Sequence, residues 1–241
     1  MSKNAIIHWA VPRSMSTLFE KVISQSKEVT TLHEPYTNEY YFGPHRKSER
    51  YGSLKHKNYS GGKNEIERHL GEKILFVKEL AFQGEAYISD DELFTYNHSL
   101  MIRHPSKVFN SLVQLKSDFT EDEFGFRALK RIHERIKKVK GISPIVVDGD
   151  IFRKTPEKTI RHYSSHFGLS YSPSLLQWED GAVRKWADHE QQSQSVWHST
   201  LENSQGIIAE ETSSAIDIPQ SILGMFNTAL EIYHELTPPR F

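Results

Sequence analysis

The sequence predicts a three-layer α/β/α domain around a central, mainly parallel five-stranded sheet, and three observations carry that expectation. Short apolar runs rich in β-branched residues recur along the chain, and longer amphipathic stretches separate them. The length of 241 residues suits one domain with a substantial buried core. The runs are apolar throughout rather than alternating, as expected for strands covered on both faces.

In chain order, Ala5-Ile6-Ile7-His8-Trp9-Ala10-Val11 reads as the first strand, and Leu18, Phe19, Val22 and Ile23 at helical spacing read as the first helix. Glu28 to His33 gives a second strand, broken by Glu34-Pro35. Lys73 to Lys78 gives a third, Ser99 to Arg103 a fourth and Pro144 to Asp148 a fifth. Between the last two, Leu129, Ile132, Ile136 and Val139 mark a helix over 123–140 whose Lys and Arg residues form a solvated face. Thr155-Pro156-Glu157 starts a further helix and Phe167-Gly168 stops it, while Ile222, Phe226, Leu230 and Tyr233 stripe a last helix over 219–236. Residues 43–65 lack a hydrophobic period and read as a mobile loop or lid within a single domain spanning 1–241.

Composition narrows the function. Lys and Arg number 30 against 31 Asp and Glu, so no overall basic field points to nucleic acid or an anionic membrane, and any anion binding must be local. The absence of cysteine excludes disulfides, thiolate metal sites and a Cys nucleophile. No apolar stretch approaches the length of a membrane span and no signal-like segment precedes the first strand, so a cytoplasmic protein is expected. The 13 histidines give no metal pattern; His162 and His166 lie four apart on a helix without a Glu between them or a third ligand. We therefore expect no metal site.

The first strand runs directly into Pro12-Arg13-Ser14-Met15-Ser16-Thr17, a turn of hydroxyl residues with one cation, placed where a helix begins. Unpaired amides at a helix N-terminus favour an anion, and these side chains add donors and charge. The turn has neither the glycines nor the lysine of a Walker A loop, which weakens an ATP-dependent phosphotransferase reading. A second constellation begins where Arg103 ends a strand, His104-Pro105 turns the chain, and Ser111 follows eight residues on, about two turns into a helix. A guanidinium at the strand end and a hydroxyl on the facing helix can hold one phosphate.

The two motifs stand in chain order about ninety residues apart, and together they resemble sulfotransferases that use 3'-phosphoadenylyl sulfate (PAPS). In that family the first turn binds the 5'-phosphosulfate and the Arg–Ser pair binds the ribose 3'-phosphate. Val146-Val147-Asp148-Gly149-Asp150, Pro156-Glu157 and Phe167-Gly168-Leu169 resemble the family's late strand and helix, so the likeness covers roughly residues 5 to 178. The resemblance implies a P-loop NTPase-like fold, PAPS as donor with PAP as product, no required metal, and a small hydroxylated or amine acceptor. It assigns cofactor binding to Pro12, Arg13, Ser14, Met15, Ser16, Thr17, Arg103 and Ser111, with Arg13 as the cation facing the leaving phosphate. Met15 stands where many members carry Gly; either the turn is open to L-residues, or a left-handed backbone there costs on the order of 1 kcal/mol.

The acceptor also needs a base. His33-Glu34-Pro35-Tyr36 closes the second strand at the edge where ligands bind in such sheets. It resembles an HEP-aromatic motif of bacterial sulfotransferase-like sequences, which implies Glu34 as general base with His33 orienting or replacing it. Lys78-Glu79, expected just after the third strand, is the rival pair. The pair reads either as an ordinary ion pair or as Glu79 acting as base with Lys78 on the sulfuryl oxygens; Lys78 is the better candidate for a direct role, and Leu80 stands where cytosolic sulfotransferases carry a catalytic His. Trp178, Trp186, Trp197 and His198 read as core or as walls of the nucleotide or acceptor pocket. The rival functional class is a non-catalytic nucleotide-binding protein on the same fold. The sequence leaves acceptor identity and oligomeric state open.

Overall fold

The computed structural model describes residues 4–51, 60–179, 204–207 and 217–237. Five strands form one sheet: β1 (Ala5–Ala10), β2 (Val29–His33), β3 (Ile74–Leu80), β4 (Asn97–Ile102) and β5 (Ile145–Asp148). The order is β2-β3-β1-β4-β5 with every neighbouring pair parallel. All five strands therefore end at one edge. That edge gathers Arg13, Glu34, Arg103 and Gly149, which follow four different strands, and Lys78 near the end of a fifth.

Helices cover both faces. They are α1 (Ser16–Ser24), α2 (Thr37–Phe42), α3 (Gly62–His69), α4 (Ala81–Gly84), α5 (Asp90–Thr95), α6 (Pro105–Leu115), α7 (Glu121–Phe124), α8 (Phe126–Lys140), α9 (Gly149–Lys154), α10 (Pro156–Phe167) and α11 (Leu223–Leu236). Residues of β1 alternate between two cores. Ile7 and Trp9 join the larger one with α8 and α11, while Ile6 and Ala10 join the smaller one with Phe19 of α1, Phe152 of α9 and Tyr163 of α10.

The structure departs from the sequence expectations at specific points. β3 extends to Leu80, so the Lys78-Glu79 pair lies within the strand rather than at its end. The helix expected over 123–140 is two helices, because Gly125 takes a left-handed φ of 82° that ends α7 and admits α8. Residues 62–65 of the expected lid open α3 instead, and Arg50 is tied to Glu123 and Asp118. The last helix begins at Leu223 after a short 3₁₀ turn over Gln220–Ile222.

One buried row is polar. His33, Lys78, His8 and Ser99 are register neighbours across β2, β3, β1 and β4, on the face that α1 covers. His8 stacks on Phe19 at 4.7 Å, and its Nδ1 is 2.8 Å from Ser99 Oγ, which is in turn 2.8 Å from the Tyr163 hydroxyl. On the opposite face His98 accepts from Trp9 Nε1 at 3.2 Å and donates from Nε2 to the Leu93 carbonyl at 2.8 Å.

Burial disfavours the charged form of both rings. It pushes His8 down to about 3, assisted by the Lys78 charge, and His98 down to about 4. Between these values and an unfolded value near 6.5, the unfolded chain binds protons that the native chain refuses. The stability is thus fully present above about pH 6.5 and is lost as pH falls toward 4, at up to about 1.4 kcal/mol per pH unit for each histidine. Denaturant midpoints should fall between pH 6.5 and 4.5, less steeply for His98→Gln. An unchanged slope in that variant would contradict the assignment.

Candidate active site

The turn leaving β1 is held in a strained shape. Arg13 has φ 58° and Met15 has φ 78°, ψ 12°, and with Glu34 at φ 44° they are the non-glycine residues with positive φ among those described. All three lie at the strand-terminal edge. The left-handed Met15 therefore incurs the cost anticipated from its sequence position.

Packing enforces the shape. A Cβ on Gly149 would lie 2.2 Å from the Ser14 carbonyl oxygen, and one on Gly125 would lie 2.8 Å from Pro12 Cδ. The β5–α9 and α7–α8 junctions thus press on the turn from two sides. Val11 N–H donates to the Met101 carbonyl at 3.2 Å, and the Ser14 hydroxyl donates to the Val11 carbonyl at 2.7 Å. The proton of the Ser14 hydroxyl thereby goes to the turn itself.

After Met15, α1 begins at Ser16 with no side chain capping its N-terminus and no acidic residue in its first turn. Its first amides lack intrahelical partners and carry the positive end of the helix dipole. Thr17 stands half-buried beside the better buried Ser16 in this first turn.

The second constellation meets the first here. Arg13 Nε donates to Ser111 Oγ of α6 at 2.8 Å, and Arg103 Nε donates to Asp150 Oδ1 at 2.8 Å. Burial and the Arg103 charge both pull the Arg13 guanidinium below its ordinary value. Two mutually repelling cations, a hydroxyl and an uncapped helix N-terminus form a donor set that suits a polyanion. Asp148 supports Asp150 from below: its Oδ1 accepts from the amides of Asp150 and Ile151 at 2.8 and 3.0 Å, and its Oδ2 accepts from the Tyr233 hydroxyl at 2.6 Å.

The His33-Glu34 corner lies across β3. Lys78 Nζ is paired with Glu34 Oε1, and Glu34 N–H donates to the Lys78 carbonyl at 2.7 Å. Thr37 Oγ1 donates to Gln83 Oε1 at 2.9 Å and lies 3.2 Å from Glu34 Oε2. His33 Nδ1 lies 2.6 Å from Oε2 of Glu20, a buried residue on α1, and His33 Nε2 lies 3.5 Å from Glu34 Oε1.

Glu79 has a structural job. Its two oxygens accept from the amides of Tyr36 at 2.9 Å and Leu80 at 2.8 Å, and burial, with the nearby Glu34 charge, raises it well above the usual carboxylate range. Tyr36 is buried under Gly62, where a Cβ would come within 2.2 Å of its ring.

The sequence model of the family described as "Sulfotransferase domain" matches residues 78–234, well over half of the chain. The chain belongs to the sulfotransferase domain family. The match includes Lys78, Arg103 and Ser111, whereas the turn at 12–17 and His33-Glu34 precede it. The sulfotransferase domain of the Synechococcus PCC 7002 olefin synthase has a similar fold, with a TM-score of 0.54 at 12% identity, covering 97% of this chain and 95% of that one.

Two Arabidopsis thaliana proteins also match. Branched-chain-amino-acid aminotransferase-like protein 2 is 26% identical over 235 residues and protein 1 is 21% identical over 245, covering 94% and 98% of this chain. The chain spans about two fifths of the length of these curated relatives, 39% and 42% respectively.

Among the described residues, no helix is long and apolar enough to cross a membrane. His162 and His166 are exposed on α10 and Trp178 packs in the smaller core. Trp186, Trp197 and His198 lie outside the described residues. Sequence reasoning missed Glu20, Gly125, Gly149 and Asp150 in this sulfotransferase domain. The available signal for Glu20 was a carboxylate set between Phe19 and Val22 in the buried stripe of α1.

The glycine wedge is directly testable. Gly149→Ala should destabilise the domain by about 1–3 kcal/mol through overpacking and weaken any anion bound at the turn. A thermal melt indistinguishable from wild type would show that the turn is not held from that side.

Proposed function

We propose that this sulfotransferase domain transfers a sulfuryl group from PAPS to a hydroxyl or amine of a small-molecule acceptor, acting as a single cytoplasmic domain. The observation that carries the reading is the bond from Arg13 to Ser111 beside the uncapped N-terminus of α1, with the Arg103 charge near enough to act on Arg13. PAPS bears a 3'-phosphate and a 5'-phosphosulfate, and this donor set fits two such anions. When bound, it supplies the sulfuryl group, whose sulfur–oxygen bond to the 5'-phosphate breaks as a bond to the acceptor atom forms.

Each part of the site then has a task. Arg103 and Ser111 hold the ribose 3'-phosphate, with Asp150 orienting the Arg103 guanidinium. The amides of 14–17 and the hydroxyls of Ser16 and Thr17 fix the 5'-phosphate, and Arg13 neutralises the charge that builds on it as the bond breaks. Pro12 and Met15 shape the turn. Lys78 places a second buried cation on the acceptor side, where it offsets charge on the sulfuryl oxygens and on Glu34. The acceptor loses its proton at the His33-Glu34 corner. With three cations in these roles the reading requires no metal, and it involves no nucleic acid or membrane.

Titration calorimetry with PAP, ADP and AMP tests the proposal. PAP should bind selectively, and Arg103→Ala should weaken it about ten- to a hundred-fold, as for loss of a charged hydrogen bond, with ADP affinity little changed. PAP binding no tighter than ADP would remove the 3'-phosphate site and favour a phosphotransferase or a plain binding protein.

A further inference from the structure

Glu20 has no part in the anion site and matches neither motif, yet its Oε2 lies 2.6 Å from His33 Nδ1. We infer that Glu20 is the positioning residue that makes His33 Nε2, rather than the Glu34 carboxylate, the acceptor of the substrate proton; this rests on the sulfuryl-transfer reading above.

The geometry selects the tautomer. With Glu20 as a carboxylate, which only accepts hydrogen bonds, the contact of 2.6 Å between its Oε2 and His33 Nδ1 puts the proton on Nδ1. In the neutral ring the lone pair is then on Nε2, the nitrogen on the Glu34 side, 3.5 Å from Glu34 Oε1. Both partners are enclosed, with Glu20 4% and His33 6% exposed, so their arrangement is fixed by packing and not by a mobile surface pair.

Glu34 is differently engaged. Its Oε1, the oxygen 3.5 Å from His33 Nε2, is already paired with the Lys78 ammonium. Three charged groups face the His33 ring: Glu20 from α1, Glu34 from the residue after β2, and Lys78 from the register position on β3. Beyond Lys78 the next group in the row, His8, is held neutral by burial.

The step balances simply. The acceptor O–H or N–H proton passes to His33 Nε2, its electron pair forms the bond to sulfur, and the electrons of the broken bond leave with the 5'-phosphate at Arg13. Glu20 keeps the Nδ1–H bond throughout and stabilises the imidazolium without itself being protonated.

Nitrogen-15 histidine spectra of the PAP-bound domain, with the His33 signals assigned by their loss in His33→Gln, read the tautomer directly. The expected result is a proton on Nδ1 in wild type. Glu20→Gln should lower kcat for PAP release from PAPS about 10²- to 10⁴-fold, measured with a panel of alcohols, phenols and primary amines. Its PAPS KM and PAP affinity should stay within about twofold of wild type.

A wild-type His33 protonated on Nε2 overturns the inference, and that spectrum decides it even if Glu20→Gln does not fold. Unchanged kcat in a folded Glu20→Gln overturns it too, while leaving sulfuryl transfer standing. Wild-type domain that binds PAP selectively but releases none from PAPS with any acceptor overturns the transfer reading, before any Glu20 variant is made.

Discussion

Charges buried at the C-terminal edge of the sheet must be paired or shared, and that constraint arranges the rest of the site. Lys78 is 2% exposed, in the middle of a row running from His33 through His8 to Ser99. Isolating an ammonium there would cost several kcal/mol, and it is paired with Glu34, whose backbone takes a left-handed turn at the end of β2. Glu20 and His33 solve the same problem beside it. Helix α1 roofs this row, and its first turn, by position, opens beside the Arg13 loop. One nine-residue helix thus couples the anion site to the proton-accepting corner.

The strain is confined to where the chemistry is proposed. Left-handed non-glycine residues cost of order 1–3 kcal/mol each, and the described chain places three of them at this edge. They persist because the turn is over-determined: Gly149 and Gly125 sit against Ser14 and Pro12, and Ser14 ties its hydroxyl back to Val11. The two arginines are likewise unfavourable neighbours in the absence of an anion. A site that repels itself when empty gains most from a ligand carrying several negative charges.

The fold was legible because its signals are local. Each strand is a short apolar run, and the expected boundaries fall within two residues of those observed. The turn at 12–17 and the Arg103–Ser111 spacing were equally local. Sequence could not show that Arg13 and Ser111 bond to one another, since they lie 98 residues apart. The expected strand stops at Lys78 because a charged pair inside a buried strand contradicts the usual pattern, and Glu34 with the amides of Tyr36 and Leu80 resolves it. The period of Leu129, Ile132, Ile136 and Val139 carries the expected helix through Gly125, and the packing of Pro12 where its Cβ would stand is beyond local reading.

The central claim is that one cleft, at the C-terminal edge and between α1 and α6, receives a nucleotide with phosphates at both ribose ends. A crystal structure of the domain with PAP tests this most directly. The account predicts the 5'-phosphate against the amides of residues 14–17 and the 3'-phosphate on Arg103 and Ser111, with Arg13 turned toward the 5' side. A nucleotide bound elsewhere, or held by its base and ribose with Arg103 still bonded only to Asp150, would contradict it.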